Sequence, residues 1–458
     1  MQITLIFLAI LACVASAIRP FKVGRRDVSF GVVSLILLAL FFVVGIVTPS
    51  SVIGGLLSNG HFEPWKIILI FFTVAYVSIS TDATGIFDHI AFRIIQAVKG
   101  NGFKLFFAFY LFGALLTLFT SNDIVILTLT PVIFYLSRHA KINIIPLLFA
   151  EFFVANTASM FLFVGDPTNI ILGSALGVGF LEFSLSTFIP GIVALIANFL
   201  LLYLVFRKQI HAPFSLKKHT SSNVRSWPDA IFSFSLLLLM LLTLVASDFL
   251  GLPIWAITTA FALIFILDDV FMGLYFAWNK KECSRIQLHK HRSICKHLPD
   301  DPHDLLIVFR RMPWQILPFI VTMFVFVQRL TELGFVDRVA GWIIDLTHPI
   351  LMLGASGVSA LLLSNIMNNQ PTAIFFANVF STDMMQTLPY IQDFIYPVVI
   401  ATSLGANVTL IGALAGLMWR DILAKKGVHI SYTDFLRRGI IITPITFTVS
   451  ILAFLLIF

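Results

Sequence analysis

The sequence predicts an all-α polytopic membrane protein built from two inverted-topology repeats. Three observations predict it. Charged residues make up 12% of the 458 residues, against about 25% in a soluble domain. Apolar runs near the ~20 residues that cross a bilayer recur from one end to the other. Polar interruptions fall inside four of the apolar regions, in the same order in each half.

Candidate spans cover residues 3–18, 28–48, 65–81, 142–177, 188–206, 229–247, 251–267, 314–330, 395–418 and 439–457. The first is read as a retained span, because its positive charges follow the apolar run, whereas a cleaved leader carries them in front. Lys and Arg collect in 19–27, 207–226 and 419–427, are frequent in the mixed loop 278–313, and are missing from 50–64, 247–253 and 381–394. Basic loops stay in the cytoplasm, so both termini are expected outside. The net charge of +7 is this loop bias, and no nucleic-acid motif accompanies it. Three scattered cysteines, Cys13, Cys283 and Cys295, give neither a disulfide framework nor a metal site.

The alternation holds only if regions 104–137 and 350–380 each enter and leave on one side. Lys99 and Lys104 precede the first, and Arg138 and Lys141 follow it. Its arms, 105–119 and 124–136, are shorter than a span, as in a re-entrant hairpin entering from the cytoplasm. Two short tilted spans would give the same sidedness. Region 350–380, with Lys-free flanks, would enter from outside.

An internal repeat supports this layout. "TGIFDHIAFRII" from Thr84 aligns without gaps on "LGFVDRVAGWII" from Leu333, sharing Gly85/Gly334, Asp88/Asp337, Ala91/Ala340, Ile94/Ile343 and Ile95/Ile344. Both suit a helix lying along the membrane interface. Each precedes a broken apolar region, "SND" at 121–123 and "SNIMNNQPT" at 364–372, and then an interrupted span, "ANTASMFLFVGDPTN" from Ala155 and "GANVTLIGALAG" from Gly405. The N-terminal repeat is placed at 1–206, a cytoplasmic linker at 207–228 and the C-terminal repeat at 229–458.

In transporters of this design, substrate and coupling ion sit near the midplane, where helices break. Non-helical backbone survives there only when buried in protein or lining a cavity. The candidate substrate-binding residues are therefore Asn122, Asp123, Asn156, Thr157, Ser159, Asn368, Asn369, Asn407 and Thr409. One lone Asn or Thr in a membrane helix is ordinarily a helix–helix contact, whereas four clusters at corresponding places point to a site. Intramembrane carboxylates are functional candidates by default, which selects Asp123, Asp166 and Glu151 for proton coupling. A carboxyl group taken out of water holds its proton more tightly and can carry one. No Lys or Arg falls in the four interruptions, a poor cradle for a multiply charged anion travelling alone. No HExxH or membrane GxSxG motif is present, so an enzyme is disfavoured, and no cofactor or metal is implied.

These motifs resemble the ion transporter superfamily, and within it the arsenical pump membrane permeases, from about residue 80 to the C-terminus. "IMNNQPT" looks like that family's hairpin-tip signature. "TLIGALAGLMWRDILAKKGVHISYTDFLRRGIIIT" is similar to its last two helices. "SNDIVILTLTPVI" resembles its A-N-D-x-x-x-x-L-T-P segment, and "VANTASMFLFVGDPTNI" its D-T-A-S segment. The resemblance implies proton-coupled efflux of arsenite or antimonite across a bacterial inner membrane. It points to Asn122, Asp123, Thr157, Ser159, Asn368, Asn369 and Thr409. Neutral As(OH)₃ suits Asn, Thr and Ser hydroxyls and amides, and no cysteine lies in an interruption to act as a thiolate trap. Two departures stand out. Asn156 occupies the place where those permeases typically carry Asp, and "GDPTN" is closer to the wider superfamily, including sodium/proton antiporters and melanosomal P-protein-like members. A sodium/proton antiporter and a sodium-coupled anion carrier are the alternatives. A soluble ATPase on the cytoplasmic loops and a homodimer are both compatible with the sequence.

Overall fold

The computed structural model describes residues 1–18, 21–23, 26–57, 63–98, 100–140, 142–211, 224, 226–286 and 305–457. Most of the linker 207–228, much of loop 278–313, and Cys295 lie outside them. Among the described residues the chain is helical except for one ribbon in the first basic loop, where β1 (Phe21–Val23) pairs antiparallel with β2 (Arg26–Val28).

The first half opens with α1 (Gln2–Ile18), α2 (Phe30–Val43) and α3 (Pro49–Leu56). The apolar run 28–48 is not one helix. Gly45 adopts φ 78°, and Thr48 and Ser51 form a capping box with Pro49 at the helix start, which begins a new helix. Then come α4 (Pro64–Ala83), α5 (Ile86–Ala97), α6 (Gly102–Phe119), α7 (Asn122–Ala140), α8 (Ile145–Ala158), α9 (Pro167–Ala175) and α10 (Phe180–Ile210).

The second half runs through α11 (Trp227–Val245), α12 (Ser247–Leu250), α13 (Ile254–Ile286), α14 (Leu305–Arg311), α15 (Ile316–Glu332) and α16 (Phe335–Ile344). It continues with α17 (Pro349–Met367), α18 (Asn369–Phe380), α19 (Asp383–Gln386), α20 (Ile395–Gly405), α21 (Leu414–Lys425) and α22 (Tyr432–Leu455). The glycines that lead into α5 and α16, Gly85 and Gly334, both sit in the left-handed region, at φ 81° and 68°, which glycine enters without a Cβ clash.

Seven helices among the described residues are long and apolar enough to cross a membrane, or eight if α14 and α15, bent by 44°, form one span. The sequence predicts about ten. The difference is physical. α1 and α2 are 17 and 14 residues long, and the runs 142–177 and 395–418 are each interrupted. Conversely, α6 and α17 span 18 and 19 residues, longer than the arms the sequence pattern suggests. At 1.5 Å per residue each approaches the ~30 Å hydrocarbon thickness.

The two interrupted helices form the centre of the protein. Every residue from Pro146 to Ala158 in α8 and from Ile395 to Gly405 in α20 is buried. A helix that is apolar all round must be enclosed. α8 packs against α6, α7 and α10, while α20 packs against α17, α18 and α22, and the two meet each other. Partners are also exchanged between halves: α7 lies on α21, α18 on α9, α2 and α3 on α15, and α13 on α4. α10 and α22 form an extensive contact alongside.

Candidate functional site

The helix breaks bring polar groups to this enclosed centre. α6 ends at Thr120, whose backbone (φ −129°, ψ −119°) leaves helical geometry. Its hydroxyl donates back to the Leu116 carbonyl at 2.8 Å. α7 then starts at Asn122, so its first N–H groups have no helical acceptor. α8 ends at Ala158 and passes through a tight turn at Ser159–Phe161. α9 resumes at Pro167 with Asp166 as its N-cap. In the second half α20 ends at Gly405 and α21 begins at Leu414, leaving Asn407 and Thr409 in the gap.

A chain of side-chain amides joins three of these breaks. Asn122 Nδ2 donates to Asp166 Oδ2 at 2.7 Å and to Asn156 Oδ1 at 3.2 Å. Asn156 Nδ2 donates to Asn407 Oδ1 at 3.0 Å and to the Phe152 carbonyl at 3.1 Å. Asn407 Nδ2 reaches the Phe153 carbonyl at 3.3 Å and Thr157 Oγ1 at 3.4 Å. Asn198 on α10 closes the far end, its Nδ2 lying 2.6 Å from Thr157 Oγ1. All five amide and hydroxyl residues are buried, and none of the groups in this chain is basic.

The two aspartates at its rim differ. Asp166 is fully engaged: Oδ1 accepts from the Thr168 N–H at 2.9 Å and the Thr168 hydroxyl at 2.7 Å, while Oδ2 accepts from Asn122. It caps α9 and anchors the hairpin tip. Asp123 is half-buried, lies within electrostatic reach of Asp166, and its carboxylate accepts no hydrogen bond among the described residues. Ser159 donates to the Asn156 carbonyl at 2.9 Å, bracing the break without joining the amide chain.

The second hairpin tip makes its own network. Asn368 holds φ 76°, accepts from the Gln370 N–H at 3.2 Å and donates to the Ile411 carbonyl at 2.9 Å. The Asn369 N–H donates to the Gly412 carbonyl at 2.9 Å, and Thr409 Oγ1 donates to Asn365 Oδ1 at 2.8 Å. Tip and break are thereby tied together. Asn369 Oδ1, Gln370 Oε1 and Ser403 Oγ are buried here without a partner. Unsatisfied buried polar atoms cost roughly 1–3 kcal/mol each and call for a ligand, an ion or water.

Glu151 stands apart from both networks. It is 2% exposed, so it does not reach for solvent. Oε1 accepts from the Thr130 hydroxyl at 2.6 Å, and the Trp419 indole lies beside it. The sequence reading missed Asn198, Asn365, Gln370, Ser403 and Trp419. Asn365 and Gln370 flank the Asn368–Asn369 pair in the same polar run. Asn198 is a single polar residue in an apolar helix and carries no local signal.

Residues 7–391 match the CitMHS family, described as citrate transporter. Among curated proteins, the chain is 30% identical over 405 residues to an arsenical pump membrane protein of Escherichia coli, covering 86% of this chain and 87% of that one. It is 30% identical to the protein of the same name from Yersinia enterocolitica, covering 84% of each. An uncharacterised transporter of Synechocystis is 22% identical, covering 85% of each.

Proposed function

This chain belongs to the CitMHS citrate transporter family, with arsenical pump membrane proteins among its relatives, and from that premise we propose a proton-coupled antiporter that expels arsenite or antimonite. That it is a multi-pass membrane transporter of this type follows from the family and from its apolar helices. The cargo and the coupling ion are our reading, as is a bacterial inner membrane as its site.

The observation that carries the reading is the amide chain Asn122–Asn156–Asn407. It is neutral, rich in donors and acceptors, and bordered by carboxylates with no basic group among its members. A neutral trihydroxide such as As(OH)₃ can exchange hydrogen bonds with such a surface. A tricarboxylate would need cations bound with it. The unpartnered Asn369, Gln370 and Ser403 oxygens offer further acceptors at the second tip. Substrate contacts are assigned to Asn122, Asp123, Asn156, Thr157, Asn368, Asn369, Asn407 and Thr409, and Ser159 to bracing the break. Asp123, with its unengaged carboxylate, carries the proton. Asp166 positions the tip, and Glu151 is a second proton site.

The inverted repeat and the re-entrant hairpins belong to this reading too. Supporting them are the aligned ends of α4 and α15 at Ala83 and Glu332, the left-handed Gly85 and Gly334, and the reciprocal packing of α7 on α21 and α18 on α9. Opposed loop charge orients the halves oppositely. Broken helices at a repeat interface are the usual setting for alternating access.

Everted membrane vesicles with an imposed proton gradient test the cargo. Arsenite uptake above that of vesicles lacking the protein is expected. Uptake at the background level, with Na⁺ collapsing the gradient, would replace this reading with sodium/proton exchange, for which the Asp123–Asp166 pair is the specific supporting observation.

A further inference from the structure

A polar cavity that none of the amide-chain residues lines lies in the corner between α15, α16, α18 and α19. Its volume is about 130 Å³, several times the ~30 Å³ a water occupies in the liquid. Asp337 and Asp383 bring two carboxylates to it, with the Ser381 and Thr382 hydroxyls and the Gln328 and Asn378 amides around them. Among the described residues neither carboxylate makes an ion pair. Arg329, one helical turn before the end of α15, is committed elsewhere: it binds Glu332 at 2.9 Å and the Ile46 carbonyl at 2.7 Å. Ser381 is 1% exposed, and its hydroxyl has no hydrogen-bond partner although it lines the cavity.

The corresponding corner of the first half shows what such a place holds. In the gapless alignment Asp88 matches Asp337, and Asp82, at the end of α4, matches Thr331, which also lines the cavity. Asp82 is buried, accepts from the Thr128 hydroxyl on α7 at 2.7 Å, and forms an ion pair with Arg311 at the end of α14. That corner contains a cation supplied by the chain itself. The second-half corner keeps the matching aspartate, has Thr331 where the first has Asp82, adds Asp383 from α19, and has no arginine among its lining residues.

We propose that the Asp337–Asp383 corner binds a hard, oxygen-seeking cation, separate from the transport site. Hard cations take carboxylate, amide and hydroxyl oxygens, with water completing the shell, and this cavity offers those groups with room for water. Among the described residues no group of three or more His, Cys, Asp or Glu side chains gathers, so a transition-metal site of that kind is not what the corner resembles. The bound cation would tie α16, which carries Asp337, to α19 at the end of α18. Its role would be to fix the base of the second hairpin. Any of the proposed cargoes is compatible with it.

The full-length protein, purified in detergent, tests this by thermal unfolding with CaCl₂, MgCl₂ or NaCl, choline chloride keeping ionic strength constant. A ligand that binds only the folded state raises its melting temperature saturably. At least one of the three salts should do so, in the native chain and in Asp123→Asn alike. Asp337→Asn and Asp383→Asn should each weaken the apparent affinity on the order of tenfold, and Ser381→Ala less. Both aspartates are exposed, so these variants should fold. Fluorescence of Trp342, exposed on the same helix as Asp337, gives an independent titration. No saturable response to any of the three cations overturns the proposal. So does a response that survives in the Asp337→Asn/Asp383→Asn double variant or vanishes in Asp123→Asn.

Discussion

Asn156 Nδ2 lies 3.0 Å from Asn407 Oδ1, the shortest of the hydrogen bonds that join the broken helix of the first half to Asn407 in the break of the second. The pair forms the middle link of the polar chain. Any movement of one half against the other must keep this bond or break it. Its surroundings are fully buried, so breaking it without a substitute partner leaves one Asn156 N–H and the Asn407 Oδ1 unsatisfied, at roughly 1–3 kcal/mol each.

The first prediction concerns that pair. Asn156→Ala and Asn407→Ala should each reduce transport in everted vesicles. The double variant should be little worse than the weaker single one, since residues sharing one bond are not additive. Fully additive losses would show that the two amides act separately.

Asp123 and Asp166 should separate cleanly. Asp123→Asn removes a carboxylate that accepts no hydrogen bond, so the melting temperature should hold while proton-driven transport fails. Unaltered pH dependence of transport in that variant would remove Asp123 from coupling. Asp166→Ala removes an N-cap, which costs about 0.5–2 kcal/mol, along with the anchor of Asn122. It should therefore lower the melting temperature measurably.

Asn368 combines a left-handed backbone with two side-chain hydrogen bonds. Asn368→Gly should preserve the tip conformation and lose only the bonds. Asn368→Val places a β-branched residue at positive φ, a costly outlier, and should be the more damaging by thermal unfolding. Equal damage from both would mean that the side-chain bonds alone set the tip.

The first-half corner at Asp82 and Asp88 predicts a pH effect. Asp88, on α5, is exposed on one side yet crowded by protein. Loss of hydration, with the negative charge of Asp82, pushes its pKa up to about 6, and Arg311 opposes the rise. The folded state therefore binds a proton that the unfolded chain, with an ordinary carboxylate, has already released. Stability from this group is fully present below about pH 4 and is lost as pH rises towards about 6. Asp88→Asn should flatten the melting temperature across that window. An unchanged slope would exclude Asp88 as its source.

Helix breaks were legible in the sequence because Asn, Asp, Pro and Gly cluster at "SND", "GDPTN" and "MNNQPT", where a helix cannot continue without exposing backbone groups. Helix lengths were less so. The first arm ends at Phe119 as its apolar pattern indicated but starts earlier, at Gly102, and the second starts at Asn122, two residues closer to the tip than apolarity alone indicated. The interruption of the run 142–177 was legible from its polar cluster, and α8 does end at Ala158. What local pattern does not show is that the break is held by distant partners, such as Asn122 on Asp166. Long-range pairings such as Asn198 with Thr157 and Asp82 with Arg311 leave no trace in local pattern. They depend on which helices the fold brings together.

The exchange of partners between halves bears on how the chain is made. α4 is crossed by α13, and two thirds of its most apolar window is buried. During synthesis, α4 therefore waits in the bilayer until more than half of the polypeptide has emerged from the ribosome. α2 and α3 wait longer, for α15. Neither half can cover all its own helices, so each half made alone should be left with helix faces that only the other half can cover.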